Sequence, residues 1–151
     1  MGDVSCDRLP SPRRRGWSHA NMNRVMGTHA LKAPSRTRPP KDARGRDIEL
    51  APVRPLLVRI VARWNPHQIW LFGSRARGDG RPTSDWDLLV VVPDELAEVE
   101  FDPLIGWRMQ KEAGIRADVI PCRVSEFRDD RATPNTICYE VVKEGVLLYE
   151  R

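Results

Sequence analysis

Two short stretches carry residue types that can do chemistry. Leu71-Phe72-Gly73-Ser74-Arg75-Ala76-Arg77-Gly78 is followed six residues later by Asp85-Trp86-Asp87-Leu88-Leu89-Val90, so ten residues separate the Gly-Ser pair from an Asp-x-Asp pair. At ordinary residue frequencies a random chain of this length shows that pattern in only about 0.2% of cases, which makes the spacing informative. On a strand, residues i and i+2 project to one face, so Asp85 and Asp87 set two carboxylates side by side while Trp86 points the other way. Adjacent anions repel unless a cation lies between them. An all-oxygen ligand set without nearby His or Cys selects a hard ion, Mg²⁺ or Mn²⁺. Gly73 lets the backbone approach a ligand closely, and Ser74 offers a hydroxyl and an N–H at a helix start, where unpaired amides favour phosphate. Arg75 and Arg77 add positive charge for the same anion. A site for two ions calls for a third carboxylate, and Asp118 in Arg-Ala-Asp-Val-Ile-Pro is the best placed, flanked by apolar residues on an expected strand. Asp102, Asp129 and Asp130 lie in polar surroundings and read as solvated.

Positioning these groups requires a sheet. Leu56, Leu57, Ile60, Val61 and Trp64 recur at helical spacing with Arg54, Arg59 and Arg63 between them, which predicts a packing helix that stops before Pro66. Residues 67–72 read as a buried strand closed by Gly73, and Gly78, Gly80 and Pro82 as a loop. Residues 85–92 are apolar on both faces after the first positions, as in a central strand covered by helices, and Pro93 closes them. Residues 94–113 read as a helical stretch broken near Pro103 and Gly106. Residues 116–121 form a third strand, Ser125 reads as a helix N-cap, residues 136–143 as a short helix ended by Gly145, and residues 146–149 as a last strand. The sum is an α/β (α+β) chain, a mixed β-sheet with helices packed against it. Trp64, Trp70, Trp86 and Trp107 read as packing rather than base-stacking residues, and His67, Cys122 and Cys138 as structural.

Composition divides the chain. Of its 151 residues, 1–46 hold 11 Lys/Arg against 3 Asp, a net charge of +8, while 47–151 hold 14 basic and 18 acidic groups, a net charge of −4. The first segment is rich in Pro and Arg and poor in branched aliphatics, so it reads as a disordered arm. A translation start at Met22 or Met26, or an Arg-rich presequence, are other readings of the same residues. The sequence pI of 9.3 is therefore a property of the arm, and the acidic remainder carries no phosphate-backbone footprint. Any nucleic-acid contact is expected through the arm alone. Three cysteines without a CxxC pair and three scattered histidines exclude a zinc or disulfide framework and point to the cytoplasm. No apolar run reaches the roughly 18 residues that span a bilayer.

Together, the Gly-Ser-Arg-Ala-Arg-Gly, Ser-Asp-Trp-Asp-Leu-Leu-Val and Ala-Asp-Val-Ile segments resemble the nucleotidyltransferase superfamily that includes DNA polymerase beta, and within it the stand-alone minimal nucleotidyltransferases. The resemblance covers residues 55–151. It implies a polymerase beta-like mixed-sheet fold and metal-dependent transfer of a nucleoside monophosphate, expected to be AMP from ATP, to a hydroxyl. By the same resemblance Ser74, with Gly73, Arg75 and Arg77, holds the triphosphate; Asp85 and Asp87 bind two Mg²⁺ or Mn²⁺ ions; and Asp118 completes the site that activates the acceptor. Larger relatives append an acceptor-binding domain, for which the 105 residues after the arm leave no room, so a partner protein is expected to carry the acceptor. Small relatives act as antitoxins on a helical HEPN-type toxin. The expectation is therefore a protein adenylyltransferase of antitoxin type. The alternatives are a small-molecule nucleotidyltransferase of the aminoglycoside-modifying kind and a non-catalytic nucleotide-binding or partner-masking module.

Overall fold

Leu56, Ile60 and Trp64 form one buried stripe along α1 (Arg54–Trp64), as their spacing predicts. Proline stands in its first turn, and Asn65 ends it in the left-handed conformation at φ 42°. In the computed structural model, which describes residues 38–151, the chain continues through β1 (Gln68–Phe72), α2 (Gly73–Arg77), β2 (Trp86–Val92), a 3-10 turn (Glu98–Phe101), α3 (Pro103–Ala113), β3 (Ala117–Arg123), α4 (Val124–Asp130), α5 (Ile137–Glu144) and β4 (Val146–Glu150).

The four strands form one mixed sheet in the order β3-β2-β1-β4. β1 runs antiparallel to both β2 and β4, while β2 and β3 are parallel and joined by the α3 crossover that parallel neighbours require. β2 is buried on both faces because each face meets helices. Trp86, Leu88, Val90 and Val92 join Leu56, Ile60, Trp64 and Met109 from α1 and α3. Leu89 and Val91 meet Cys122, Phe127, Cys138 and Val141 from β3, α4 and α5. Each such side chain contributes roughly 1.5–3 kcal/mol of burial, enough to hold the strand that presents Asp87.

Three local expectations need correction. In the 94–113 stretch residues 94–97 form a turn rather than a helix, and after the 3-10 turn the chain breaks at Asp102–Pro103, where the Asp102 carboxylate accepts from the Leu104 N–H and Pro103 opens α3. Gly106 is instead a buried helical residue: a Cβ there would stand 3.1 Å from the Val119 carbonyl oxygen and 3.3 Å from Val119 Cβ, so glycine permits close approach of α3 to β3. Ser125 does not cap α4. β3 runs straight into that helix, Arg123 takes the N-cap position with its N–H bonded to the Glu126 carboxylate, and the Ser125 hydroxyl and N–H both donate to Asp94 Oδ1 at 2.9 Å. Third, residues 41–47, most of them assigned by composition to the arm, form an ordered turn closed by a bridge between Lys41 and Asp47. Ile48 N–H bonds the Pro40 carbonyl, and Ala43 N–H bonds the Ala76 carbonyl at 2.8 Å. Hydrogen bonds rather than apolar burial order this segment, so composition does not reveal it. The remainder of the expected arm, residues 1–37, lies outside the described residues.

The free edge of β3 is closed to further strand pairing at three points. Gln110 Oε1 accepts from Ala117 N–H, Pro121 has no donor, and Glu126 accepts from Arg123 N–H. Among the described residues no helix is long and apolar enough to cross a membrane.

Candidate active site

β1 ends in extended backbone at Phe72, and the chain turns at Gly73 with φ +69° into the five residues of α2. A side chain at Gly73 would be strained by that φ and would also collide with a neighbour, its Cβ falling 3.0 Å from Asp87 Cγ. Glycine thus lets the Asp87 carboxylate lie directly over the turn. Antiparallel pairing of Phe72 with Asp87 fixes this approach.

The carboxylates meet through register. Parallel pairing of β2 with β3 sets Asp87 opposite Asp118, and one step earlier Trp86 N–H bonds the Arg116 carbonyl, which brings Arg116 beside Asp85. The result is a ladder of four charged side chains, one unlike pair above one like pair. Arg116 Nε stands 2.9 Å from Asp85 Oδ1, yet that buried oxygen receives no hydrogen bond, so the contact is an ion pair without good donor geometry. A second guanidinium nitrogen reaches Asp85 Oδ2 at 3.4 Å. Burial, then the charges of Asp118 and Asp85, push the Asp87 carboxyl above its ordinary range, against the opposing pull of Arg77 and Arg75. Asp118 is exposed on the edge strand.

The two α2 arginines part ways. Arg75 folds back onto the 80–84 loop, donating from Nε and Nη2 to the Ser84 carbonyl at 3.0 and 2.6 Å and from Nη2 to the Pro82 carbonyl at 2.9 Å, with its guanidinium 4.4 Å from the centre of the Trp86 ring. It shapes the loop that leads into Asp85. Arg77 is half-exposed and pairs with Asp79 at 3.4 Å, and its charge opposes the upward shift of Asp87. The Ser74 carbonyl gathers the N–H groups of Gly78, Asp79 and Gly80. The structure therefore brings Gly73, Asp85, Asp87 and Asp118 together, places Ser74 and Arg77 beside them on α2, and turns Arg75 away. Asp102 caps α3, and Trp107 is half-exposed rather than packed, whereas Trp64 and Trp86 are buried.

Two contributors are not evident from motif spacing. Arg116 is legible only as the residue two before Asp118, hence on its face of the strand, and its partner follows only from the register. The Asp42-x-x-Gly45-Arg46 turn that contacts α2 carries a weak turn signature inside a charge-rich stretch.

A hard cation fits this donor set in kind. The three carboxylates stand without a soft ligand, Asp85 holds a buried oxygen lacking a hydrogen bond, and Asp87 is strained by like charge. Among the described residues, however, no three His, Cys, Asp or Glu side chains already form a cage, and Asp85 is paired with Arg116.

The family model for the polymerase beta nucleotidyltransferase domain matches residues 57–151, from within α1 to the end of β4. The chain belongs to the polymerase beta nucleotidyltransferase family. Its general activity is accordingly nucleotidyl transfer. Among solved structures it is similar to a candidate nucleotidyltransferase from Sulfolobus solfataricus at 27% identity, over 68% of this chain and 80% of that one, with a TM-score of 0.45. It is also similar to a toxin–antitoxin structure with AMP-PNP at 20% identity, over 64% of this chain and 72% of that one, again with a TM-score of 0.45. No curated protein matches the chain.

Proposed function

We propose that this nucleotidyltransferase moves AMP from ATP, with Mg²⁺ or Mn²⁺, to a hydroxyl on a partner protein, and that it acts as an antitoxin on a small helical HEPN-type toxin. The observation that carries the reading is the pairing of Asp87 with Asp118 across β2 and β3, with Asp85 on the same face and the Gly73-Ser74 turn beneath.

In this reading the Ser74 hydroxyl and N–H and the Arg77 guanidinium bind the triphosphate. Asp85, Asp87 and Asp118 would hold the divalent ions, which neutralise phosphate charge and lower the pKa of the acceptor hydroxyl. Asp118 faces the acceptor and orients its O–H. The acceptor hydroxyl gives up its proton to the Asp118 carboxylate, its oxygen forms a bond to the α-phosphorus in line with the bond that breaks, and pyrophosphate leaves carrying the electron pair. The side chains supply position and charge rather than covalent chemistry.

A macromolecular acceptor is supported by the openness of the Asp118 side. That residue is exposed on an edge strand, and Ile120, two residues on and on the same face, is 36% exposed. A small hydroxyl compound would gain little enclosure there.

The test is transfer of label from α-³²P-ATP with Mg²⁺ to a co-expressed HEPN-type partner. Label is expected on the partner, absent when γ-³²P-ATP replaces the α-labelled nucleotide, and lost in the Asp85→Asn/Asp87→Asn double variant. Label on an added aminoglycoside and not on the partner would favour the small-molecule reading; no labelled product with either would sink both.

A further inference from the structure

The 41–47 strap lies outside the span that identifies the family, yet it is hydrogen-bonded to the end of α2. α2 has only five residues, too few to be stable through its own hydrogen bonds, and its last carbonyls need outside partners. Ala43 N–H bonds the Ala76 carbonyl at 2.8 Å, and Arg46 Nη2 donates to the Gly78 carbonyl. Those two carbonyls flank Arg77, a cation whose charge is felt at Asp87.

The strap is itself rigidly built. Asp42 Oδ1 accepts from the N–H groups of Arg44 and Arg46, and Oδ2 accepts from Arg46 Nε, all at 2.9 Å. Its side chain is only 7% exposed. Lys41 Nζ closes the base, 2.7 Å from Asp47 Oδ1 and 3.1 Å from the Gly45 carbonyl. Gly78 receives this assembly: its φ is +77°, and a Cβ there would stand 2.6 Å from Arg46 Nη2 and 2.8 Å from Asp42 Cγ. Arg46 is thus a two-ended tie, with Nε on Asp42 and Nη2 on the end of α2.

We propose that Asp42 and Arg46 are positioning residues for nucleotide binding, holding the C-terminal end of α2 so that Ser74 and Arg77 present a fixed surface to the triphosphate. This rests on the assignment of α2 as the triphosphate-binding element. Without the tie, the Ala76–Gly78 end of α2 frays, and binding ATP must order it again. That cost falls on nucleotide affinity and leaves the reacting carboxylates untouched.

Arg46→Ala separates the possibilities. Calorimetric titration of Mg²⁺-ATP is expected to show about five- to tenfold weaker binding, the loss of roughly one hydrogen bond. In the transfer assay KM for ATP should rise with kcat retained at saturation. Arg46→Lys cannot serve Asp42 and Gly78 at once and should fall between Arg46→Ala and the unaltered chain. Asp42→Asn is the milder second variant: it keeps the Oδ1 acceptor but loses the charge that holds Arg46 Nε, and should shift affinity in the same direction by less. Arg59→Ala, which removes a comparable exposed ion pair with Glu112 between α1 and α3, is expected to leave ATP affinity unchanged. Unchanged affinity in folded Arg46→Ala and Asp42→Asn overturns the proposal, as does an equal loss in Arg59→Ala. Failure of the unaltered chain to bind Mg²⁺-ATP overturns the α2 assignment, and the positioning role with it.

Discussion

Asp87 is the residue at which function and stability pull apart. Burial and two neighbouring carboxylates raise its pKa, it sits over the one glycine that leaves room for it, and among the described residues no protein group donates a hydrogen bond to it. Asp87→Asn removes a like charge directly across from Asp118 without breaking any such bond. Thermal unfolding in the absence of divalent ions should therefore show the variant more stable, by roughly 0.5–1 kcal/mol, while transfer activity is lost. A variant less stable than the unaltered chain would mean that the carboxylate is held by favourable contacts, and the strained-cluster reading would fall. That Asp85 and Asp87 share a face was legible because strand periodicity alone predicts which side chains lie together. Arg75 was not: residues i and i+2 on a helix diverge, and only the Trp86 ring and the two loop carbonyls decide which arginine turns inward. Arg116 needed the β2–β3 register, which no local pattern contains.

Elements were legible where burial creates them and obscure where hydrogen bonds or close approach do. β2 announces itself as a continuous apolar run because both of its faces are covered. Gly106 misleads for the opposite reason: a glycine inside a helical pattern reads as a break, yet here it admits the backbone of β3, the strand that carries Asp118. Gly106→Val should wedge α3 away from Val119, costing about 1–3 kcal/mol in chemical denaturation. Because α3 backs β3, the same variant should also raise KM for the acceptor more than for ATP. A neutral effect on stability would show that the helix has room to move. The strap is the element most thoroughly hidden, since its charged residues resemble those of a solvated tail until Asp42 is seen to collect three N–H donors.

Across the whole molecule, acidic side chains close turns and tie segments together. Asp42 closes the strap on itself through Arg44 and Arg46, Asp94 receives the Ser125 N–H and hydroxyl from α4, and Glu100 receives both Arg63 and the Trp64 indole from α1. Each of these carboxyls is held below its ordinary value. At Asp94 the cause is first the Ser125 hydrogen bonds, and at Glu100 first that from Arg63; at Asp42 the bonds from Arg46 and Arg44 outweigh the upward push of burial. A carboxyl whose folded pKa is depressed adds stability that is complete above its unfolded pKa, near 4, and fades as pH falls through the folded value. Asp87, raised instead, works the other way: protonation relieves it, so it favours the folded state as pH drops toward its folded pKa. Stability measured by chemical denaturation should consequently hold or rise slightly as pH falls from neutral toward the ordinary carboxylate range, then fall below about pH 4 as the three ties are protonated. Asp87→Asn should abolish the slight rise and leave the fall, whereas Asp42→Asn should make the fall shallower. A profile that declined steadily from neutral pH in the unaltered chain, with no difference in either variant, would remove these carboxylates from the account of its acid stability.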